Sequence, residues 1–303
     1  MDVAGRQPGI EIVCVDSMTV YRGMDIGTAK PSAAARVTVP HHLLDLVDPG
    51  EEFTVAQFQS AARAALCGIA SREHRALLVG GTGLYLRSVV DDLEFPGRYP
   101  KVAAELDAEA GRPGGLARLY VRLAALDPVA ASRTTATNRR RIVRALEVTI
   151  GSGRPFSSFG PGLTAYPPTE VVLVGIPFDG DVVDRRIETR FRRWVAEGLV
   201  DEVRHLAARP GGLSRTARQA LGYKELLAHV VDGAPLGECV DAAIRRTRMF
   251  ARRQMSWYRR DPRIRWARSA ADAARMLAGL LGASADVAAG AALEPGREPS
   301  DTR

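Results

Sequence analysis

The segment DSMTVYRGMDIGTAKP at 16–31 carries more reactive side chains than a connecting loop needs. Asp16 follows the apolar, β-branched run IEIVCV, and α/β sheets place their ligands at the carboxyl ends of such strands. A carboxylate there is positioned to accept a proton; the plainer alternative is an Asp that caps the next turn. Ser17, Asp25, Thr28 and Lys30 share the loop. A second candidate is Gly80-Gly81-Thr82-Gly83-Leu84-Tyr85, where a strand passes through glycines into a helix start. Such a turn offers backbone N–H groups and the Thr82 hydroxyl to an anion. The same glycines would also let a helix pack closely on its sheet.

Two basic stretches point to a polyanion. NRRRIVR at 138–144 puts four arginines on one helix, with Ile142 and Val143 among the residues able to anchor it. RRTRMFARRQMSWYRR at 245–260 holds seven arginines and no acid, and its stripe of Ala243, Thr247, Phe250, Gln254 and Trp257 has helical spacing. Arginines turned outward with Trp257 or Tyr258 interleaved would bind phosphates and stack on bases; a solvated helix face is the alternative. In RQALGYKE at 218–225, the Arg218 guanidinium suits a bidentate grip on a diphosphate; the start of a surface helix is the alternative.

The elements that position these groups read as α/β. Ile10–Val15, 76–79 and 171–176 are short apolar runs typical of buried parallel strands. Between the first two, a helix over 54–71 has Thr54 as N-cap and Phe58, Ala61, Ala62, Ala65, Leu66 and Ile69 on one face, completing a βαβ unit. The pattern predicts an α/β core of doubly wound type over 1–94 and 166–283, an all-helical insertion at 95–165, an edge strand at 264–267 and a disordered tail at 284–303. In 303 residues, 42 Lys and Arg against 35 Asp and Glu give a net charge of +7, and 46% hydrophobic residues suffice for a core. The three lysines leave 39 arginines, a bias that GC-rich codons would also produce. Cys14, Cys67 and Cys239 suit neither a disulfide framework nor a zinc site. No apolar run spans a membrane and no signal peptide opens the chain, so a cytoplasmic protein is expected.

In this order, DSMTVYRGMDIGTAKP, VPHHLLDLVDP, FTVAQFQ, LLVGGTGLYL, RRIVRALEV, RIETRF, EGLVDEVRHL, ALGYKE and FARRQMSWYRRD resemble the bacterial tRNA dimethylallyltransferases, from about Ile10 to Ala267. The resemblance implies a P-loop NTPase-like, doubly wound parallel sheet with a helical insertion gripping the tRNA anticodon stem-loop. It implies dimethylallyl diphosphate as donor, Mg²⁺ as cofactor, N6 of adenosine 37 as acceptor and a monomer. By the same resemblance Asp16 is the general base, and Asp16, Ser17, Met18 and Thr19 line the flipped adenine. Thr82 and the run Arg140, Arg141, Ile142, Val143 and Arg144 touch tRNA, while Lys30 and Arg218 neutralise the leaving diphosphate.

Two departures stand out. Thr19 replaces the family's usual Gln after DSM, so a base contact there would be shorter or bridged by water. No segment of the form G-x-x-x-x-G-K-[ST] precedes the strand at Ile10, where family members hold the donor's diphosphate. Residues 1–4 read as a helix end with Gly5 as its C′ residue. The expectation is a start at an internal Met, about 25 residues late, and weak or no transfer by this exact chain. The competing readings are an RNA-binding relative without a donor site and a small-metabolite kinase.

Overall fold

The computed structural model describes residues 3–160 and 162–282. The first part of the chain runs through β1 (Ile10–Val15), α1 (Ala33–Thr38), β2 (His41–His42), α2 (Val55–Ala70), β3 (Arg75–Gly80) and α3 (Gly83–Val90). Alternation sets the faces of β1: Val13 and Val15 enter the main core with Phe58 and Ile69 of α2, whereas Ile10, Ile12 and Cys14 join a smaller cluster with Ala4, Val39 and Leu77. Helix α2 begins where expected. Thr54 accepts from Gln57 N, and Gln57 in turn accepts from Thr54 N, a capping box that satisfies two otherwise orphaned donors.

Four helices follow, α4 (Pro100–Ala110), α5 (Gly115–Leu126), α6 (Pro128–Ser132) and α7 (Arg139–Ser152), and they bury a core of their own around Leu106, Leu119, Leu123, Ile142 and Leu146. Asp127 holds the end of this unit: its carboxylate caps α6 at Ala130 N and accepts from Ser157 N and Oγ. The chain then forms β4 (Val174–Gly175), α8 (Gly180–Ala196), α9 (Leu199–Ala207), α10 (Tyr223–Asp232), α11 (Leu236–Tyr258), β5 (Arg265–Trp266) and α12 (Ala270–Gly282). Phe191, Leu199, Tyr223, Leu226 and Ala243 from α8 to α11 close the main core against β1 and α2.

The architecture is mixed α/β with parallel strands and many helices, as expected. Among the described residues, however, the strands form two groups. The order β2-β1-β3 makes one parallel sheet, and β4 pairs only with β5. The apolar run at 171–176 shortens to two strand residues, paired on one side by β5, and Val171, Val172 and Ile176 are exposed, as is Val79 on β3. At the amino end, the expected helix close is a 3-10 turn at Ala4–Arg6, with Met1 and Asp2 outside the described residues. Gly9, not Gly5, takes the left-handed conformation, at φ 74°, and its carbonyl accepts from Arg75 N at 2.7 Å. The expected tail at 284–303 also lies outside the described residues.

One acid interrupts the apolar face of β1. Glu11 is buried, and its carboxylate is met by Arg72 at 3.0 and 2.9 Å, His74 Nδ1 at 2.7 Å and His42 Nε2 at 2.5 Å. The Arg72 hydrogen bonds lead in holding its pKa down to about 2, against 4.5 for a free Glu. A depressed carboxylate pKa stabilises the fold fully above the unfolded value and loses that contribution as pH falls toward the folded one. Glu11→Gln is therefore expected to flatten the loss of stability between about pH 5 and pH 2, measured by urea midpoints. An unchanged slope would refute the assignment.

Candidate active site

Asp16 sits where β1 ends, half-buried, with Oδ1 accepting from Met18 N at 2.7 Å and Thr19 N at 3.2 Å. Both the capping and the proton-accepting readings find support in this geometry, because one oxygen folds the loop and no hydrogen bond to Oδ2 forms among the described residues. Ser17 N donates to Thr82 Oγ1 at 3.3 Å, which joins the first loop to the glycine turn after β3. Asp16, Ser17 and Thr82, 65 residues apart along the chain, thus share one corner at the carboxyl ends of adjacent parallel strands. Met18 packs against the main core, and Thr19 is buried with a hydroxyl that has no partner among the described residues.

The glycines of the turn have steric reasons of their own. A Cβ on Gly80 would stand 2.0 Å from the Val15 carbonyl oxygen, so only glycine lets β3 run this close beside β1. A Cβ on Gly81 would meet Gln254 Nε2 at 2.4 Å, and one on Gly83 would meet the Trp257 ring at 2.4 Å. The glycines thus serve close packing: the last two turns of α11 seat on the turn, and Gln254 Nε2 donates to Gly81 O at 2.7 Å. This places Tyr258 beside the corner. Burial first, and then the Asp16 charge, push its phenol up to about 12. Burial likewise raises Tyr85, with smaller contributions from Tyr21 and Asp16.

Lys30 and Arg218 occupy different surroundings. The Lys30 side chain is 1% exposed, and its ammonium donates to Asp25 at 2.6 Å, Asp45 at 2.7 Å and the Tyr21 carbonyl at 2.8 Å. All three protons are used, so Lys30 ties the loop together in this conformation. Glu202 adds a second tie, its carboxylate accepting from Asp25 N, Ile26 N, Gly27 N and the Tyr223 hydroxyl. Arg218 is exposed, its guanidinium has no partner among the described residues, and it lines a hollow of about 240 Å³ with Lys224, Leu227 and Val231.

The IPP transferase family profile matches residues 19–261. The tRNA dimethylallyltransferase of Desulforudis audaxviator is 48% identical over 258 residues, covering 85% of this chain and 83% of its own length. That of Kineococcus radiotolerans is 48% identical over 260 residues, covering 86% and 81%. The chain belongs to the IPP transferase family. A solved structure, the full-length tRNA isopentenylpyrophosphate transferase of Bacillus halodurans, is 33% identical with a TM-score of 0.64, over 93% of this chain and 90% of its own. The present member of the family is a prenyltransferase, and its mixed α/β fold is the fold of that relative.

In this IPP transferase the basic helices are only partly free. On α7, Arg140 and Arg141 are exposed without partners among the described residues, and Arg144 is held by Glu147 at 2.8 Å and by the Pro96 carbonyl. Ile142 and Val143, expected to touch tRNA, are 0% and 6% exposed in the helical core, so their side chains cannot reach a ligand. The seven-arginine run along α11 and just past its end is likewise divided. Arg246 pairs with Glu225, Arg248 with Glu188, and Arg252 with Asp184, while Arg253 lies over Phe250. Arg245, Arg259 and Arg260 remain exposed and unpaired among the described residues. Sequence reasoning missed the seating role of Gln254 and the position of Tyr258. The apolar stripe through Gln254 and Trp257 held the signal, since it marks the face of α11 turned toward the protein.

Proposed function

We propose that this chain is a tRNA dimethylallyltransferase that moves the dimethylallyl group of dimethylallyl diphosphate to N6 of adenosine 37, next to the anticodon. The observation that carries the reading is Asp16, with an oxygen left over after folding its loop, at the strand-end corner shared with Ser17 and Thr82. In the reaction the N6–carbon bond forms as the carbon–oxygen bond to diphosphate breaks. Asp16 takes the proton that the amine loses, which keeps positive charge from building on nitrogen. The diphosphate leaves as an anion, and Arg218, exposed and without a partner among the described residues, is the donor proposed to meet it.

Among the described residues no three His, Cys, Asp or Glu side chains form a metal-binding cluster. Mg²⁺ is commonly held by one or two carboxylates together with substrate phosphates, so we propose that it enters with the donor's diphosphate; proton transfer at Asp16 itself needs no metal. Among the described residues no helix is long and apolar enough to cross a membrane. We further propose that the 303 residues alone transfer slowly, because Lys30 is already saturated and no G-x-x-x-x-G-K-[ST] segment occurs among them. The same two observations favour a second reading, a tRNA-binding relative with an impaired donor site.

The deciding experiment incubates the purified, mass-verified chain with unmodified tRNA and labelled dimethylallyl diphosphate. Slow, Asp16-dependent labelling supports the enzyme, whereas salt-sensitive tRNA binding with no donor binding supports the relative. For either, Arg140→Ala with Arg141→Ala is expected to lower the slope of log affinity against log salt by about two units, roughly one per phosphate contact. Retention of the full slope would remove α7 from the proposed RNA surface.

A further inference from the structure

Two hydroxyls, Thr19 in the first loop and Tyr258 on α11, are closed to solvent and have no hydrogen-bond partner among the described residues. A buried donor without an acceptor is a standing cost that folding does not recover, and such groups are uncommon unless a ligand completes them. Tyr258 is set apart by how firmly it is delivered. Gln254 fixes the last two turns of α11 to Gly81, Trp257 lies against Gly83, and the Trp257 and Tyr258 rings meet edge to face at 5.2 Å. The same turn carries Thr82, bonded to the residue after Asp16. The Asp16 charge reaches the phenol and, with burial, keeps it protonated and a donor at neutral pH.

We infer that the Tyr258 hydroxyl donates a hydrogen bond to the target base, at the ring nitrogen adjacent to the amine that faces Asp16. The inference rests on the proposed adenine N6 reaction and deepens it into a statement about base choice. Adenine presents an amine beside a bare ring nitrogen, at N1 on one edge and N7 on the other. A carboxylate acceptor next to a phenol donor matches that pattern on either edge. Guanine presents its carbonyl oxygen where adenine has the amine, and an oxygen facing the Asp16 carboxylate is repelled. Asp16 and Tyr258 together would select the base that can react.

The test is equilibrium binding, which needs no turnover. Anticodon stem-loops carrying adenosine, 1-deazaadenosine or 7-deazaadenosine at the target position are titrated by fluorescence anisotropy against the full chain and against Tyr258→Phe. The wild type is expected to bind one deaza probe about five- to tenfold more weakly than adenosine, the range for one hydrogen bond. Tyr258→Phe should lose the same factor on adenosine and nothing further on that probe. Equal wild-type affinity for all three probes overturns the inference, whatever the variant does. An equal loss by Tyr258→Phe on all three overturns it too, because a structural role predicts that result. Failure of the wild type to bind any stem-loop would overturn the tRNA reading as well, whereas salt-dependent binding without a deaza effect overturns the Tyr258 assignment alone.

Discussion

Replacing Asp16 with asparagine is expected to slow prenyl transfer about 10²- to 10⁴-fold, the range for losing a positioned general base. The change isolates the chemistry from the fold. Asparagine keeps an Oδ1 that accepts from Met18 N and Thr19 N, so the loop and its Ser17 to Thr82 contact persist, and melting temperature and stem-loop affinity should stay close to wild type. Asp16→Ala is expected to behave differently. It strips both N–H groups of their acceptor, with Thr19 buried, and should cost about 1–3 kcal/mol of stability in addition to the rate. Rates of both variants and the wild type, each under saturating tRNA and donor, make the comparison. If Asp16→Asn keeps more than about a tenth of the wild-type rate, Asp16 is not the base, and its role reduces to capping the loop.

The parts of the molecule that were legible in the sequence are those set by local pattern. β1 and β3 are largely apolar runs that end at polar or glycine residues, and α2 announces itself with Thr54 and Gln57 at capping-box spacing. The two-residue strand at His41–His42 has no such signal, since it exists only because β1 offers an edge to pair with. Glu11 is similar: in the sequence it interrupts an apolar run, and only folding supplies Arg72, His42 and His74 from far along the chain. The run at 140–144 shows a different limit. Treated as a block it looks like one basic surface, but each helical residue turns about 100° from the last. Arg140 and Arg141 thus face solvent while Ile142 and Val143 enter the core. Lys30 was placed in its loop correctly by the sequence, yet its two carboxylate partners, Asp25 five residues before it and Asp45 fifteen residues after it, decide whether its charge is available.

Arg87→Met is expected to destabilise the protein by about 3–5 kcal/mol, the range for breaking a buried ion pair by removing one partner. The Arg87 side chain is 2% exposed in α3, and burial lowers its pKa without a nearby solvent shell to support the charge. Its guanidinium donates to Asp91 one turn on, to Leu163 O at 3.1 Å and to Ala165 O at 2.6 Å, with the Tyr166 ring 4.6 Å from its centre. Those two carbonyls belong to the segment by which the chain returns from the helical unit to β4. Arg263 closes the other side, bonding Asp91 at 2.6 Å and Pro167 O at 2.8 Å. Methionine fills much of the volume but leaves Asp91 with one cation and strands two carbonyls, so the loss should exceed that of an ordinary surface arginine several-fold. Urea midpoints read the effect, and Arg87→Met with Asp91→Leu should recover part of it, because an apolar pair carries no orphaned charge. A midpoint unchanged by Arg87→Met would mean that the return segment is held by other contacts. If the loss appears and stem-loop affinity falls with it under native conditions, the same guanidinium that stabilises α3 also sets where the exposed arginines of α7 stand relative to Asp16.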